Sequence, residues 1–324
     1  GCLILAGDGT GDNELIDRGR RRTLNQMLPH VTHTGVHDHG FNNLSTYGNL
    51  LRLLGEGRLP EGNGYQRTLY ENAIAASGAV QAARWSQTSC GLGYVYSFNG
   101  PHSLFIDTMR TLRIMLVAHQ LGHMLMGEND QRINLLERSI QHALATSRYI
   151  IFHGDSDHSY DVRGRTAHEG TFNRNDGRFR ARATQQGYSP FSTWTRGLAW
   201  AMLGYSEQLE FLSTLADEEF EAIGRDKQEV LAEYLRCAKE TSEHYIEDCS
   251  AADGITSWDD GAPQLHRLGD WRSVPADPLN DYEPVDASAS GIAAQGLIRL
   301  GNYLGEPGGD RYRKAGLTIA KTLF

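Results

Sequence analysis

Apolar residues recur at helical spacing along most of this chain, and that period limits the folds open to it more than any other feature. Leu15, Ile16, Leu24 and Met27 predict one helix with a broad apolar face, with Gly19 tolerated inside it at some cost. The stretch 104–125 is long and apolar, but His119, Gly122 and His123 interrupt it. It reads as a buried helix, not a membrane span. Further helices are predicted over 131–148, 195–212, 226–245, 287–304 and 312–322. Within 166–182 a short hairpin is predicted around Asn175-Asp176-Gly177, since Asp-Gly favours a tight turn.

The helices carry a faint repeat. Glycine-containing turns ending in Asp12, Asp130 and Asp310 each precede a helical pattern, and each aspartate can cap the helix that follows. Their separations are near multiples of about 60 residues, the length of one helical hairpin with its loops. Hairpins repeated in this way can close into a ring. Three loop-rich stretches, 91–102, 154–190 and 248–284, interrupt the helices, and loops of that length are usually functional.

With 324 residues, 40% of them hydrophobic, the chain can build a large core. Its net charge of −9 argues against a nucleic-acid binder, while a local basic pocket can still take an anionic substrate. Cys2, Cys90, Cys237 and Cys249 are scattered without metal-site spacing and read as reduced thiols. Residues 1–7 lack the charged start of a signal peptide and read as the middle of a helix. The expectation is that the chain lacks its first helix or helices. The compartment is then open between cytoplasm and periplasm.

Candidate chemistry falls in three places. Asp38 lies in His37-Asp38-His39-Gly40-Phe41 and reads either as a structural acceptor or as a working carboxylate. A metal site on His33, His37 and His39 is a further idea, but histidines two apart on a loop are not specific. Asp107 sits early in an apolar segment; it is either a helix cap or a partly buried acid, prepared by desolvation to donate a proton. The third place is 186–200. There Gln186-Gly187-Tyr188 leads to Trp194-Thr195-Arg196-Gly197-Leu198-Ala199-Trp200. Arg196 can pair with a structural acid or grip a substrate carboxylate in bidentate fashion. Trp194 and Trp200 are core aromatics or platforms for sugar rings, and they reach one cleft together if Trp194 precedes the helix. His168 can orient a hydroxyl. Arg163, Arg165, Arg180 and Arg182 around it are a solvated surface or a positive lip for an anionic oligosaccharide. The blocks 257–263 and 286–294 read as mainly structural, with Asp286 or Ser288 as a helix cap.

Taken in order, these motifs resemble the unsaturated glucuronyl hydrolases, glycoside hydrolase family 88, with the unsaturated rhamnogalacturonyl hydrolases of family 105 close by. The resemblance covers most of the chain, and the block from Gln186 to Trp200 is its most specific part. It implies an all-α fold, an (α/α)6 barrel, with residues 1–324 as a single catalytic domain. It also implies no metal and no organic cofactor. The implied partner is an acidic oligosaccharide, with no nucleic acid and no membrane, and a monomer or weak homodimer. The implied chemistry is hydration of a 4,5-unsaturated uronic acid at the non-reducing end. Asp107 matches the general acid/base, Asp38 its helper, and His168, Gln186, Trp194, Arg196 and Trp200 the substrate contacts. This chain departs from the pattern at Arg110, Phe98 and Ser189-Pro190-Phe191. Two rivals keep the fold: hydrolysis of a saturated terminal uronate, or non-catalytic binding of acidic sugars.

Overall fold

Asp12 caps the helix that begins at Asn13, as the sequence predicts, its Oδ1 accepting the backbone N–H of Glu14 and Leu15 at 2.9 and 3.1 Å. The computed structural model describes residues 1–59 and 64–324. In chain order the helices are α1 (Cys2–Thr10), α2 (Asn13–Arg22), α3 (Asp38–Asn43), α4 (Asn49–Gly55), α5 (Tyr65–Ala83) and α6 (Leu112–Gln120). They continue as α7 (Leu135–Tyr149), α8 (Thr195–Thr214), α9 (Asp217–Glu221), α10 (Lys227–His244), α11 (Ala287–Leu304) and α12 (Asp310–Leu323). Short strands sit between them: β1 (Trp85–Gln87), β2 (Gly93–Val95), β3 (Ser103–Phe105), β4 (Leu125–Met126), β5 (Arg132–Ile133), β6 (Glu169–Phe172) and β7 (Phe179–Ala183). The all-α expectation is met. No helix among the described residues is long and apolar enough to cross a membrane.

The chain forms two compact units. One comprises Gly1–Ser86, Gly93–Pro101 and Thr111–Gln141. Its core runs along α5, which buries Tyr70, Ala73, Ile74, Ser77, Gly78, Gln81 and Ala82, a stripe three and four residues apart. The helix packs on α6 and α3, and Asn43 at the end of α3 donates to Ser77 Oγ at 2.9 Å. Small residues on α5 weaken its amphipathic signal, and the sequence did not predict it.

The other unit comprises Gln87–Leu92, His102–Arg110 and His142–Phe324. Its centre is α8, buried nearly all round, as a helix apolar on every face must be. α10 and α11 pack against it, and α12 packs on α11. A small antiparallel sheet, ordered β3-β6-β7, belongs to the same unit. The predicted hairpin is present as β6 and β7.

Three expectations are corrected. The stretch 104–125 is not one helix: β3 is followed by a 3-10 turn over Ile106–Thr111, and α6 starts only at Leu112. A short apolar run can be buried as strand or helix, and pairing of β3 with β6 decides for the strand. The helix expected over 131–148 begins at Leu135, after Asn134 Oδ1 accepts the Glu137 N–H. Of the three repeat aspartates only Asp12 caps a helix through its side chain. Asp130 has a positive φ of 58° within a short turn, and Asp310 is spent on Arg313. Asp226 and Asp286 cap α10 and α11 instead.

Candidate active site

Asp107 stands two residues beyond the end of β3. The β3–β6 ladder pairs Phe105 with Glu169, and one further bond, from Ile106 N–H to the His168 carbonyl at 3.0 Å, carries the pairing past the strands. Asp107 and His168 are thereby held at the same end of one small sheet. Asp107 is buried, and it lies in the 3-10 turn instead of capping a helix. The Arg110 guanidinium is one turn on, with Nη2 3.4 Å from Asp107 Oδ2. Arg110 also lies over the Trp200 ring, 4.7 Å from its centroid. Burial, with Arg196 nearby, lowers the Arg110 guanidinium to about 10. The residue that departs from the family pattern thus sits directly on the candidate acid.

His168 is buried and its ring is oriented. Nδ1 accepts two backbone N–H groups, from Gln185 at 2.9 Å and Gln186 at 3.2 Å. A nitrogen that accepts twice carries no proton, so the ring hydrogen is on Nε2. Phe105 and Trp194 flank the ring at centroid distances of 4.9 and 4.8 Å.

Trp194 is the N-cap of α8, ahead of the first helical residue, the arrangement that lets Trp194 and Trp200 serve one site. A Cβ at Gly197 would stand 2.6 Å from the Trp194 ring and 2.8 Å from Ile106, so the glycine lets the indole fold back over the helix. Arg196 is part-exposed. Its Nε is 3.2 Å from Asp286 Oδ2, in ion-pair range but not aligned as a hydrogen bond. Its Cζ is 5.2 Å from the Trp194 ring centroid. Both readings of Arg196 therefore have a basis: a structural acid holds one edge, and the side chain still reaches solvent. Gln186 has an exposed side chain and is fixed through its backbone.

The block 257–263 does more than line a core. Asp259, fully buried, accepts Tyr188 N–H at 2.8 Å and Gly261 N–H at 2.9 Å. Burial pushes its carboxyl up despite those bonds. Asp260 accepts Thr193 N–H at 2.6 Å and sits 3.1 Å from His244 Nε2, while His244 Nδ1 meets Asp248 at 3.0 Å. Burial opposes charge on His244, but Cys249, Asp248 and Asp260 favour it, and the net shift is well upward. His244, Cys249 and Asp260 could bring one ligand atom each to a metal ion. The two carboxylates already engage both imidazole nitrogens, so the set reads as a buried clamp. The sequence contained Asp259 and Asp260 but gave no sign that they grip the 186–196 loop.

Asp107, His168, Gln186, Trp194, Arg196 and Trp200 all fall in the unit containing α8. Asp38 belongs to the other unit, where it is the first residue of α3 and half-buried. There His37 Nδ1 bonds Ser97 Oγ, its Nε2 lies 3.7 Å from Asp38 Oδ1, and Thr111 Oγ1 donates to the His37 carbonyl at 2.8 Å. The His30, His33 and His39 rings pack on one another, with His33 and His39 4.5 Å apart. Burial, then His33 and His30, lowers the His39 imidazole.

No family model matches the chain. It is 29% identical over 172 residues to an unsaturated glucuronyl hydrolase of Bacillus sp. (strain GL1), covering 53% of this chain and 34% of that protein. A second unsaturated glucuronyl hydrolase, from Formosa agariphila, is 24% identical over 307 residues, covering 94% of this chain and 62% of that one. The chain thus spans about a third to three fifths of the length of these relatives. Among solved structures, an unsaturated glucuronyl hydrolase described as specific for heparin superposes with a TM-score of 0.72. Its identity is 21%, over 99% of this chain and 70% of that one.

Proposed function

We propose, for a chain related in sequence and fold to the unsaturated glucuronyl hydrolases, that residues 1–324 form one catalytic domain. It removes a 4,5-unsaturated uronic acid from the non-reducing end of oligosaccharides left by polysaccharide lyases. The observation that carries this reading is that Asp107, next to the Ile106 N–H bond to the His168 carbonyl, and a tautomer-fixed His168 lie at the same end of the β3–β6 ladder.

In this reading the protonated Asp107 gives its proton to C4 of the vinyl ether. Positive charge develops at C5 and is shared with the ring oxygen. Water attacks C5 and returns its proton to the Asp107 carboxylate, leaving a hemiketal. The hemiketal opens to a C5 ketone, the ring oxygen becomes a hydroxyl on C1, and C1 collapses to an aldehyde as the sugar leaves. No enzyme–sugar bond forms, so the separation of two carboxylates does not predict retention or inversion here.

His168 Nε2–H donates to an oxygen of the uronate ring. Arg196, steadied by Asp286, takes the uronate carboxylate in a charge-assisted contact. Trp194 walls the ring beside His168, Trp200 supports Arg110, and Gln186 contacts the sugar from the loop. The acid must be protonated before reaction, so the rate optimum is expected below neutral pH.

The test is loss of the near-ultraviolet enol-ether absorbance when lyase products are added. Asp107→Asn is expected to abolish that loss while keeping a wild-type circular dichroism spectrum. A variant that keeps full rate removes Asp107 from the role. Turnover of a saturated aryl glucuronide with none of lyase products would replace the hydration reading with ordinary hydrolysis.

A further inference from the structure

His168 and Glu169 stand side by side where β6 begins, and both are buried. Only His168 has a part in the reaction above. The Glu169 carboxylate is held from two elements. Ser103, fully buried on β3, donates its hydroxyl to Oε1. Gln185, exposed in the loop after β7, donates its side-chain amide to Oε2 at 3.2 Å. Two donors on one side chain fit a carboxylate, which accepts at both oxygens. A glutamine at 169 would meet one of them with a donor of its own. The carboxylate thus anchors one residue of an exposed loop to the buried sheet.

The anchored residue is also the one that bonds the histidine. Gln185 N–H lies 2.9 Å from His168 Nδ1, the shorter of the two bonds that keep this nitrogen bare. Gln186 supplies the other, and Thr184 Oγ1 accepts Gly187 N–H at 2.8 Å. The loop therefore turns tightly at the ring, and Gln185 is the point where its side chain reaches into the sheet. The backbone at Glu169 is braced on both sides, opposite Phe105 of β3 and Ala183 of β7. Release of Gln185 would leave Nδ1 free to carry the proton in place of Nε2. An imidazole of that tautomer presents a lone pair where a donor is required.

We propose that Glu169 is a positioning residue for the reaction: through Gln185 it fixes His168 as the Nε2–H tautomer, so that the ring can donate to the sugar. The proposal rests on the function proposed above and adds the group that sets one of its hydrogen bonds. Glu169 itself does not touch the substrate. It acts on the direction of one backbone N–H, and that N–H decides which imidazole nitrogen carries the proton.

Nitrogen-15 spectra of the full chain with labelled histidine read the tautomer directly, with His168 assigned by the loss of its signals in His168→Gln. In the wild type Nε2 should carry the proton and Nδ1 should be bare. Gln185→Ala cuts the link at its exposed end and leaves the bond between Ser103 and Glu169 in place. It is expected to let the proton divide between the two nitrogens, with kcat/KM on a lyase disaccharide falling at least about tenfold, the worth of one hydrogen bond to a charged group. Gln185→Glu sets two carboxylates against each other and should cost more. Adding Glu169→Gln to that variant restores a donor and an acceptor with their roles exchanged, and should recover part of both the tautomer and the rate. No recovery in the paired variant overturns the proposal. So does a His168 tautomer unmoved by Gln185→Ala and Gln185→Glu, and so does a tautomer that moves without loss of rate. Failure of the hydration reading shows separately, as no absorbance change with any lyase product in the wild type while the tautomer still answers to position 185.

Discussion

At the scale of single residues, Arg110 distinguishes this chain. A guanidinium 3.4 Å from a carboxylate favours the ionised form, whereas a proton donor must carry its proton. Arg110→Met removes that bias, so the alkaline fall in rate is expected at higher pH than in the wild type. A pH–rate profile of kcat/KM checks it, and an unmoved alkaline limb would detach Arg110 from the acid. Stability should also suffer, because the arginine covers the Trp200 ring; a cation–π contact of this kind is worth about 0.5–2 kcal/mol. Gly197→Ala tests a second single-atom requirement. Its methyl would collide with Trp194 and Ile106, so activity should fall at least about tenfold, with helix content retained.

At the scale of elements, the site is a loop held by a distant one. Asp259→Ala removes the acceptor of two backbone N–H groups, each bond worth roughly 0.5–1.5 kcal/mol, and frees the loop that places Trp194. A drop in melting temperature together with a raised KM is expected; a stable variant with normal kinetics would show that the grip on Tyr188 is idle. The His244 clamp gives this region a pH signature. His244 is shifted upward, so its contribution is complete below the ordinary imidazole range and is lost as pH rises through the shifted value. Asp248 and Asp260 are shifted downward, Asp248 chiefly by its bond to His244 and Asp260 by the same bond against its burial. Their contribution is present above the ordinary carboxylate range and is lost in acid. Thermal melts across pH should peak between these limits, and His244→Gln should flatten the alkaline decline. The contrast shows what sequence could reveal. Gln186 to Trp200 was legible because its parts meet at one loop–helix junction. The grip of Asp259 on Tyr188 spans 71 residues, and β3 becomes a strand only through a partner 66 residues away. Neither leaves a local period or motif to read.

At the scale of the whole molecule, a charge of −9 surrounds a site that is proposed to take anions. Salt screens distant charges before it weakens contacts inside a half-buried site, since the Debye length is about 10 Å at 0.1 M. kcat/KM for an acidic oligosaccharide should therefore rise from very low salt to about 0.15 M. A steady fall from the lowest salt would mean that the local arginines already dominate approach. One carboxylate joins the largest scale to the smallest. Asp286 uses Oδ1 to accept the Ala289 N–H at 2.8 Å, starting α11, and Oδ2 to steady Arg196. In evolutionary terms position 286 is pleiotropic: most replacements would cost the helix its cap, about 0.5–2 kcal/mol, and in the same step release the arginine proposed to read the uronate. Asparagine keeps the cap while giving up the charge, which makes it the gateway through which a lineage could drift from acidic toward neutral sugars without first unravelling.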